Sequence, residues 1–197
     1  KPRPEGLRLV PEVAASYPRV SRDGRTYTFT LRTDFRFSDG TPVRASAFAH
    51  AINRVLTLEA ANQIFVQDIV GAEAVRAGRS KAATGVTASR NRLVVRFKRP
   101  VFGFAAQTSM PVFCAVPPTL PPDPEGVGAH HGSGPYYISQ YVRGERVVLA
   151  RNRFYRGTRP HHVDRFVVDL RAGAPDEVLD RIERGQADWG YVAPGAV

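Results

Sequence analysis

The stretch GSGPYYISQYVRGERVVLARNRFY, residues 132–155, decides the fold of this chain because two strand-forming runs flank one turn in it. Residues 136–141 are aromatic and β-branched, and residues 146–151 alternate between two faces. Gly144 lies between these runs and can adopt a positive φ without steric cost. Pro135 is tolerated at the beginning of a strand but not in its middle. The stretch therefore predicts a β-hairpin.

A second hairpin is predicted around the turn at Gly24. The apolar side chains of Tyr27, Phe29 and Leu31 alternate with polar ones, and this period of two is typical of a half-buried strand. Pro18 precedes the turn, so the partner strand is expected to be short or to lie at the edge of its sheet.

An amphipathic helix is predicted after the turn-forming DGTP motif of residues 39–42. Its apolar side chains, at spacings of four, three and one, fall on one helical face. They are Phe48, Ile52, Val55 and Leu56. Arg44 is a poor capping residue, so we expect Ser46 to cap the helix and begin it two residues later.

The remaining elements complete a mixed α/β fold. In the first half they are short helices in residues 60–78, broken at Gly71, and a hairpin over residues 85–97. In the second half they are a short helix in residues 101–110, a buried strand over 112–116, a loop over 117–128, a strand over 163–170, a helix over 175–185, and a final strand or its exit over 187–192.

Three blocks of this sequence resemble the family 5 extracellular solute-binding proteins, the oligopeptide- and dipeptide-type receptors of ABC importers. The hairpin stretch, continued as RG, is similar to the family's GTGPY…GERIVLERNPDYWGG segment, with Ser133 in place of the usual threonine. The second block is YTFTLRTDFRFSDGTPV, residues 27–43, and the third is IERGQAD, residues 182–188. The resemblance extends in order from about Glu12 to Asp188. It departs at Arg44, where the family usually has a helix-capping threonine.

The resemblance implies a type II periplasmic-binding-protein-like lobe, with a mixed β-sheet, hairpins and flanking helices, and with the second lobe absent. It implies a smaller subdomain, residues 1–110, and part of the main N-terminal lobe, residues 111–197, which ends at the crossing to the other lobe. The implied function is the capture of peptides or a similar small solute for an ABC permease. Such a receptor is extracellular or periplasmic, binds without catalysis and needs no cofactor. A lipid anchor on the full-length protein is compatible with it.

Four aromatic residues are candidate solute contacts: Trp189, Tyr191, Phe65 and Phe104. Trp189 and Tyr191 share a face at a period of two, where the resemblance implies that the chain crosses between lobes. Binding sites favour such crevices and such amphipathic aromatic side chains. For the two phenylalanines, core packing is the ordinary alternative. An apolar patch near Trp189 would also favour self-association of the chain.

The charge balance keeps open a second class, a basic nucleic-acid-associated domain. Lysine and arginine total 28 and aspartate and glutamate total 18, so the formal net charge is +10. The basic residues are mostly arginines, and no run of five or more occurs. Scattered charge is typical of a solvated surface, so we expect no nucleic-acid partner.

Catalytic and metal sites are not indicated by the remaining motifs. Residues 131–134, HGSG, lack the first glycine of a GxSxG nucleophile motif and precede a strand, which disfavours a hydrolase. The histidine pairs at 130–131 and 161–162 have no carboxylate or cysteine at a ligand spacing, so we expect no metal site. Cys114 is the only cysteine, and its apolar neighbours predict a buried, inert thiol.

Overall fold

The computed structural model describes residues 8–58, 61–171 and 173–191 of the chain. In this part of the chain, four α-helices flank two antiparallel sheets, one of four strands and one of three. The prediction of a mixed α/β fold is therefore confirmed. None of the helices in the described ranges is long and apolar enough to cross a membrane.

The four-stranded sheet contains two of the predicted hairpins. In sequence order its strands are β1 (Arg19–Val20), β2 (Thr26–Thr30), β3 (Val86–Ser89) and β4 (Arg92–Arg96). In space the order is β1-β2-β4-β3. The short edge strand β1 confirms the expectation from Pro18. Gly24 has φ of 66° in the first turn, a conformation that glycine adopts at little cost. Tyr27 and Phe29 share one buried face with Leu93 and Val95.

Helix α1 (Ala45–Thr57) covers this buried face, which we call the inner face of the four-stranded sheet. Ile52 and Leu56 are buried there, whereas Phe48 and Val55 are half-buried. The apolar stripe predicted from their spacing is therefore present, with Ile52 and Leu56 as its fully buried residues.

The predicted Ser46 cap is wrong. Arg44 is the N-cap residue, and its side chain makes no capping hydrogen bond. The helix begins earlier because the amide of Ala45 donates to the carbonyl oxygen of Arg90, 3.2 Å away in the β3–β4 turn. A free helical amide is thus satisfied by a distant backbone group rather than by a side chain.

Short helical segments connect the strands, mostly as predicted. They are a 3-10 helix (Ala61–Phe65), α2 (Ala72–Arg76), α3 (Phe104–Gln107) and a second 3-10 helix (Pro111–Phe113). Gly71 separates the first two with φ of 85°, and a Cβ there would lie 2.6 Å from the amide nitrogen of Thr84.

The strand predicted over residues 112–116 is wrong. The amide of Phe113 donates to Met110, and the amide of Cys114 donates to the carbonyl of Pro111, each at 3.0 Å. These bonds close a 3-10 turn within the segment, so its apolar residues enter the core without joining a sheet.

The three-stranded sheet contains the hairpin of residues 132–155. Its strands are β5 (Tyr136–Val142), β6 (Arg146–Arg151) and β7 (Arg165–Asp169), in the spatial order β5-β6-β7. Helix α4 (Pro175–Glu183) follows. Residues 187–191 are irregular and form the exit rather than a strand, and residue 192 lies outside the described residues.

A second hydrophobic core joins the DGTP region to the segments after residue 110. It contains Phe35, Phe37, Val43, Ala47, Ala115 and Tyr155. The segment around Phe113 and Ala115 contributes to both cores. The subdomain boundary proposed at residue 110 therefore falls where the chain contacts both parts, and it stays a prediction.

Candidate functional site

Phe104 lies at the centre of an aromatic cluster in the first core, and only 1% of its surface is exposed. Its ring centroid lies 4.7 Å from that of Phe97, 5.1 Å from Tyr27 and 5.4 Å from Phe113, all in edge-on arrangements. Such packing stabilises a core strongly. Phe104, a candidate solute contact, therefore packs mainly against other side chains of the first core.

Phe65 ends the first 3-10 helix and is half-buried against the same core. Its neighbour Ile64 is 63% exposed. The two phenylalanines proposed from sequence thus belong to one hydrophobic cluster, beneath and beside the four-stranded sheet.

Trp189 and Tyr191 follow α4 and are exposed by 84% and 73%. The chain between them lies against the helix, because a Cβ added to Gly190 would come 2.3 Å from Val178. This pair therefore lies in a different part of the fold from Phe65 and Phe104. The structure does not bring the four candidates into one site.

Sequence reasoning missed a hollow of about 340 Å³ between residues 9–18 and the inner face of the four-stranded sheet. Its apolar wall includes Phe29, Leu31, Phe48, Ile52, Phe104 and Phe113. Ser133 and Arg159 approach it from the part of the chain after residue 110. The hollow has room for a small apolar group, and it lies where the two parts of the chain meet.

A charged network borders the hollow at Glu12. The carboxylate of Glu12 accepts hydrogen bonds from the hydroxyl of Tyr155 and from Nε of Arg159, the latter at 2.9 Å. Burial, together with this bond to Glu12, raises the pKa of Tyr155, so its phenol stays protonated as a donor at neutral pH. The hollow therefore combines apolar walls with a carboxylate and a guanidinium at its edge, a combination suited to a small amphipathic molecule.

The predicted burial of Cys114 is wrong, since its side chain is exposed and borders the hollow. Phe113 and Ala115 on either side are each 6% exposed. The chain is extended at Cys114 after the 3-10 turn, so successive side chains point in opposite directions and the thiol faces outward.

Native Cys114 should therefore react with a maleimide, although slowly. Desolvation raises the pKa of the thiol, which lowers its thiolate fraction at neutral pH. We expect the labelling rate of the folded chain to keep rising with pH beyond the ordinary thiol range. The rate in denaturant is the control, and labelling that occurs only in denaturant would contradict the exposed position.

A serine, a histidine and an aspartate also approach each other in the described residues. The hydroxyl of Ser38 lies 3.2 Å from Nδ1 of His131, and Nε2 of His131 lies 3.9 Å from a carboxylate oxygen of Asp39. The other oxygen of Asp39 accepts bonds from the amide and hydroxyl of Thr41. The histidine–aspartate distance is too long for the hydrogen bond that orients a catalytic base. The group therefore connects two loops without forming a triad.

No group of three or more histidine, cysteine, aspartate or glutamate side chains that could hold a metal ion occurs within residues 8–58, 61–171 and 173–191. The rings of His161 and His162 stack on each other, with their centroids 6.4 Å apart. Nδ1 of His161 lies 3.0 Å from the carbonyl oxygen of Arg159.

Comparison with known proteins identifies relatives along the whole chain. Protein XP55 of Streptomyces lividans is 34% identical over 98% of this chain and 33% of its own length. The nickel-binding periplasmic protein of Escherichia coli is 30% identical over 77% of this chain and 28% of its own. The dipeptide-binding protein DppE of Bacillus subtilis is 28% identical over 69% of this chain and 26% of its own length. This chain thus spans a quarter to a third of these relatives.

Solved structures show the same fold. The substrate-binding domain of an oligopeptide ABC transporter from Bacillus anthracis superposes with a TM-score of 0.73 over 90% of this chain and 36% of that one, at 24% identity. The lobe predicted from the hairpin stretch is therefore a type II periplasmic-binding-protein lobe. The sequence profile described as "Bacterial extracellular solute-binding proteins, family 5 Middle" matches residues 8–197. The chain therefore belongs to the family 5 bacterial extracellular solute-binding proteins.

Proposed function

We propose that this chain forms one lobe of a receptor that captures a peptide or a similar small solute and delivers it to an ABC permease. The observation that carries the proposal is the family match over residues 8–197. A dipeptide-binding relative at 28% identity supports a peptide, while a nickel-binding relative at 30% shows that family members differ in their cargo. Family members bind and carry their solutes, so no reaction is assigned to this chain.

Two surfaces of the lobe suit contact with solute. Trp189 and Tyr191 expose large amphipathic rings at one end of the described chain. The hollow beside Glu12 and Arg159 offers an apolar recess with charged groups at its edge. Phe104 lines the wall of that recess, and Phe65 supports the same core from the side. We assign direct contact with the solute to Trp189 and Tyr191, and the hollow is a second, separate candidate surface.

A lobe of this kind would enclose solute only together with a second lobe. Affinity for a small solute depends on burying most of its surface, and one wall alone leaves the solute hydrated on the other side. Closure of two lobes would then present the loaded receptor to its permease. The proposed location is outside the cytoplasmic membrane, as for the periplasmic nickel-binding relative, and a lipid anchor on the full-length protein fits this location.

The exposed apolar side chains also suggest how the isolated lobe would behave. Phe166, Val167 and Val168 of β7 are 42%, 60% and 44% exposed, and Trp189 is 84% exposed. Large exposed apolar areas of this kind favour association. We therefore propose that the 197-residue chain self-associates through these exposed apolar side chains.

Calorimetric titration with di- and tripeptide mixtures tests the proposal. We expect the 197-residue chain to bind at least about 100-fold more weakly than a longer chain that contains both lobes, because only the longer chain buries the solute. Fluorescence of Trp189, the only tryptophan, reports on contact in parallel. Tyr191→Ala should weaken peptide binding to the two-lobed protein. Tyr141→Ala serves as the control, because Tyr141 is also exposed and lies outside both the hollow and the α4 region. Equal affinities of the short and long chains would contradict the two-lobe account.

A further inference from the structure

The outer face of the four-stranded sheet, opposite to α1, has an unusual composition. It carries Arg19, Arg92 and Arg96, five serine and threonine side chains on β2 and β3, and Val94. Each arginine lies directly opposite a threonine of β2: Arg19 opposite Thr28, Arg92 opposite Thr30, and Arg96 opposite Thr26. Because opposite residues in antiparallel strands project to the same side, all of these groups form one surface.

This outer face has a single sign of charge. None of the four strands contains an aspartate or a glutamate. All three arginines are exposed. Among the ion pairs within residues 8–58, 61–171 and 173–191, none includes Arg19, Arg92 or Arg96. The arginines are therefore available to an external anion, and neighbouring hydroxyls add hydrogen-bond donors between them.

The spacing of the charges suits a flat anionic partner. Arg92 and Arg96 are four residues apart on β4, which separates them by roughly 13 Å along the strand. Arg19 lies two strands away at an intermediate height, on the order of 12 Å from each of them. Three guanidinium groups in such a triangle can contact separate phosphates in one plane.

We propose that the outer face docks on an anionic phospholipid surface. A protein partner would require apolar or aromatic anchors at the centre of the contact, and this face has only Val94 there. Single-stranded nucleic acid is bound on sheets by stacking on aromatic rings, which the outer face lacks. Four strands span roughly 14 Å, too wide to enter the major groove of a duplex. A layer of phosphate headgroups requires only exposed positive charge on a flat surface.

The interaction is expected to be weak, reversible and sensitive to salt. Each arginine close to an anionic membrane contributes attraction that falls off within a Debye length. The inference does not depend on the proposed transport function, since it concerns a face opposite to the helix-covered core and is measured without solute.

Vesicle sedimentation tests the inference. The 197-residue chain is mixed with vesicles of phosphatidylglycerol and phosphatidylcholine, or of phosphatidylcholine alone, at low and high salt. The test variant is Arg19→Gln/Arg92→Gln/Arg96→Gln. The control variant, Arg79→Gln/Arg153→Gln/Arg165→Gln, removes the same charge from exposed positions outside this sheet. Circular dichroism and thermal unfolding verify that both variants are folded.

The inference predicts binding to the anionic vesicles only, lost at high salt. The affinity of the outer-face variant for anionic vesicles should fall at least about tenfold, while that of the control variant should fall by no more than about threefold. Equal losses in both variants would overturn it, because the attraction would then come from net charge alone. Absence of binding to anionic vesicles would overturn it as well. Tighter binding to random duplex DNA with the same dependence on the three arginines would assign the face to nucleic acid instead.

Discussion

Phe104→Ala should lower the free energy of unfolding by about 3–5 kcal/mol, as expected for removal of a large buried aromatic side chain. The side chain is 1% exposed and contacts four other aromatic rings, including Phe29 at 6.2 Å between centroids. Its loss would remove both the buried area and the edge-on ring contacts and would enlarge the adjacent hollow. Urea-induced unfolding followed by circular dichroism measures the change.

Phe102→Ala is the matched control, because Phe102 lies two residues earlier and is 87% exposed. The same chemical change there should alter the free energy of unfolding by less than about 0.5 kcal/mol. A similar loss in both variants would mean that Phe104 does not hold the centre of the core. If Phe104→Ala leaves stability unchanged but abolishes solute binding, the residue is a solute contact rather than a core residue.

Asn152→Ala should destabilise the chain by about 2–4 kcal/mol, because it removes three hydrogen bonds made by a buried side chain. Asn152 is 1% exposed. Its amide group donates to the carbonyl oxygens of Gly132 and Gly134, at 3.3 and 3.0 Å, and its carbonyl oxygen accepts from the amide of Phe154 at 2.9 Å. These bonds hold the entry of β5 against the exit of β6, so thermal unfolding should begin in the three-stranded sheet.

The matched control is Asn91→Ala. Asn91 is half-buried and its side chain donates one hydrogen bond, to the carbonyl oxygen of Leu31 at 3.2 Å. We expect a loss of about 1 kcal/mol or less. Hydrogen exchange identifies the region that opens. If the amides of β5 and β6 exchange no faster in Asn152→Ala than in the unmodified chain, the proposed connection between the two strands is wrong.

The resemblance in the hairpin stretch predicted more about function than the composition did. It predicted membership of a family of solute-binding proteins, and the family match over residues 8–197 confirms this membership. Net charge alone kept a nucleic-acid-associated domain as an alternative, because a total does not say where the charges lie. Pairing of β1 with β2 and of β2 with β4 places Arg19, Arg92 and Arg96 on one face. Arg92 and Arg96 nevertheless lie 73 and 77 residues after Arg19 in the sequence.

The sequence by itself determined the elements that depend on local chemistry. Alternation at Tyr27 and Phe29 predicted strand β2. Gly24 predicted the turn between β1 and β2, and Gly144 predicted the turn between β5 and β6. The spacing of Ile52 and Leu56 predicted the apolar face of α1. Each of these signals acts within a few residues, where backbone sterics and side-chain period decide the outcome.

The tertiary structure alone decided which of these side chains are buried and what they meet. Phe102 and Phe104 lie in one apolar segment, yet one is 87% exposed and the other 1%. The start of α1 depends on the carbonyl of Arg90, and the edge of the hollow depends on Arg159 reaching Glu12 across 147 residues of sequence. The physical reason is that burial and partner choice are set by contacts between distant segments, which no local pattern of residues encodes.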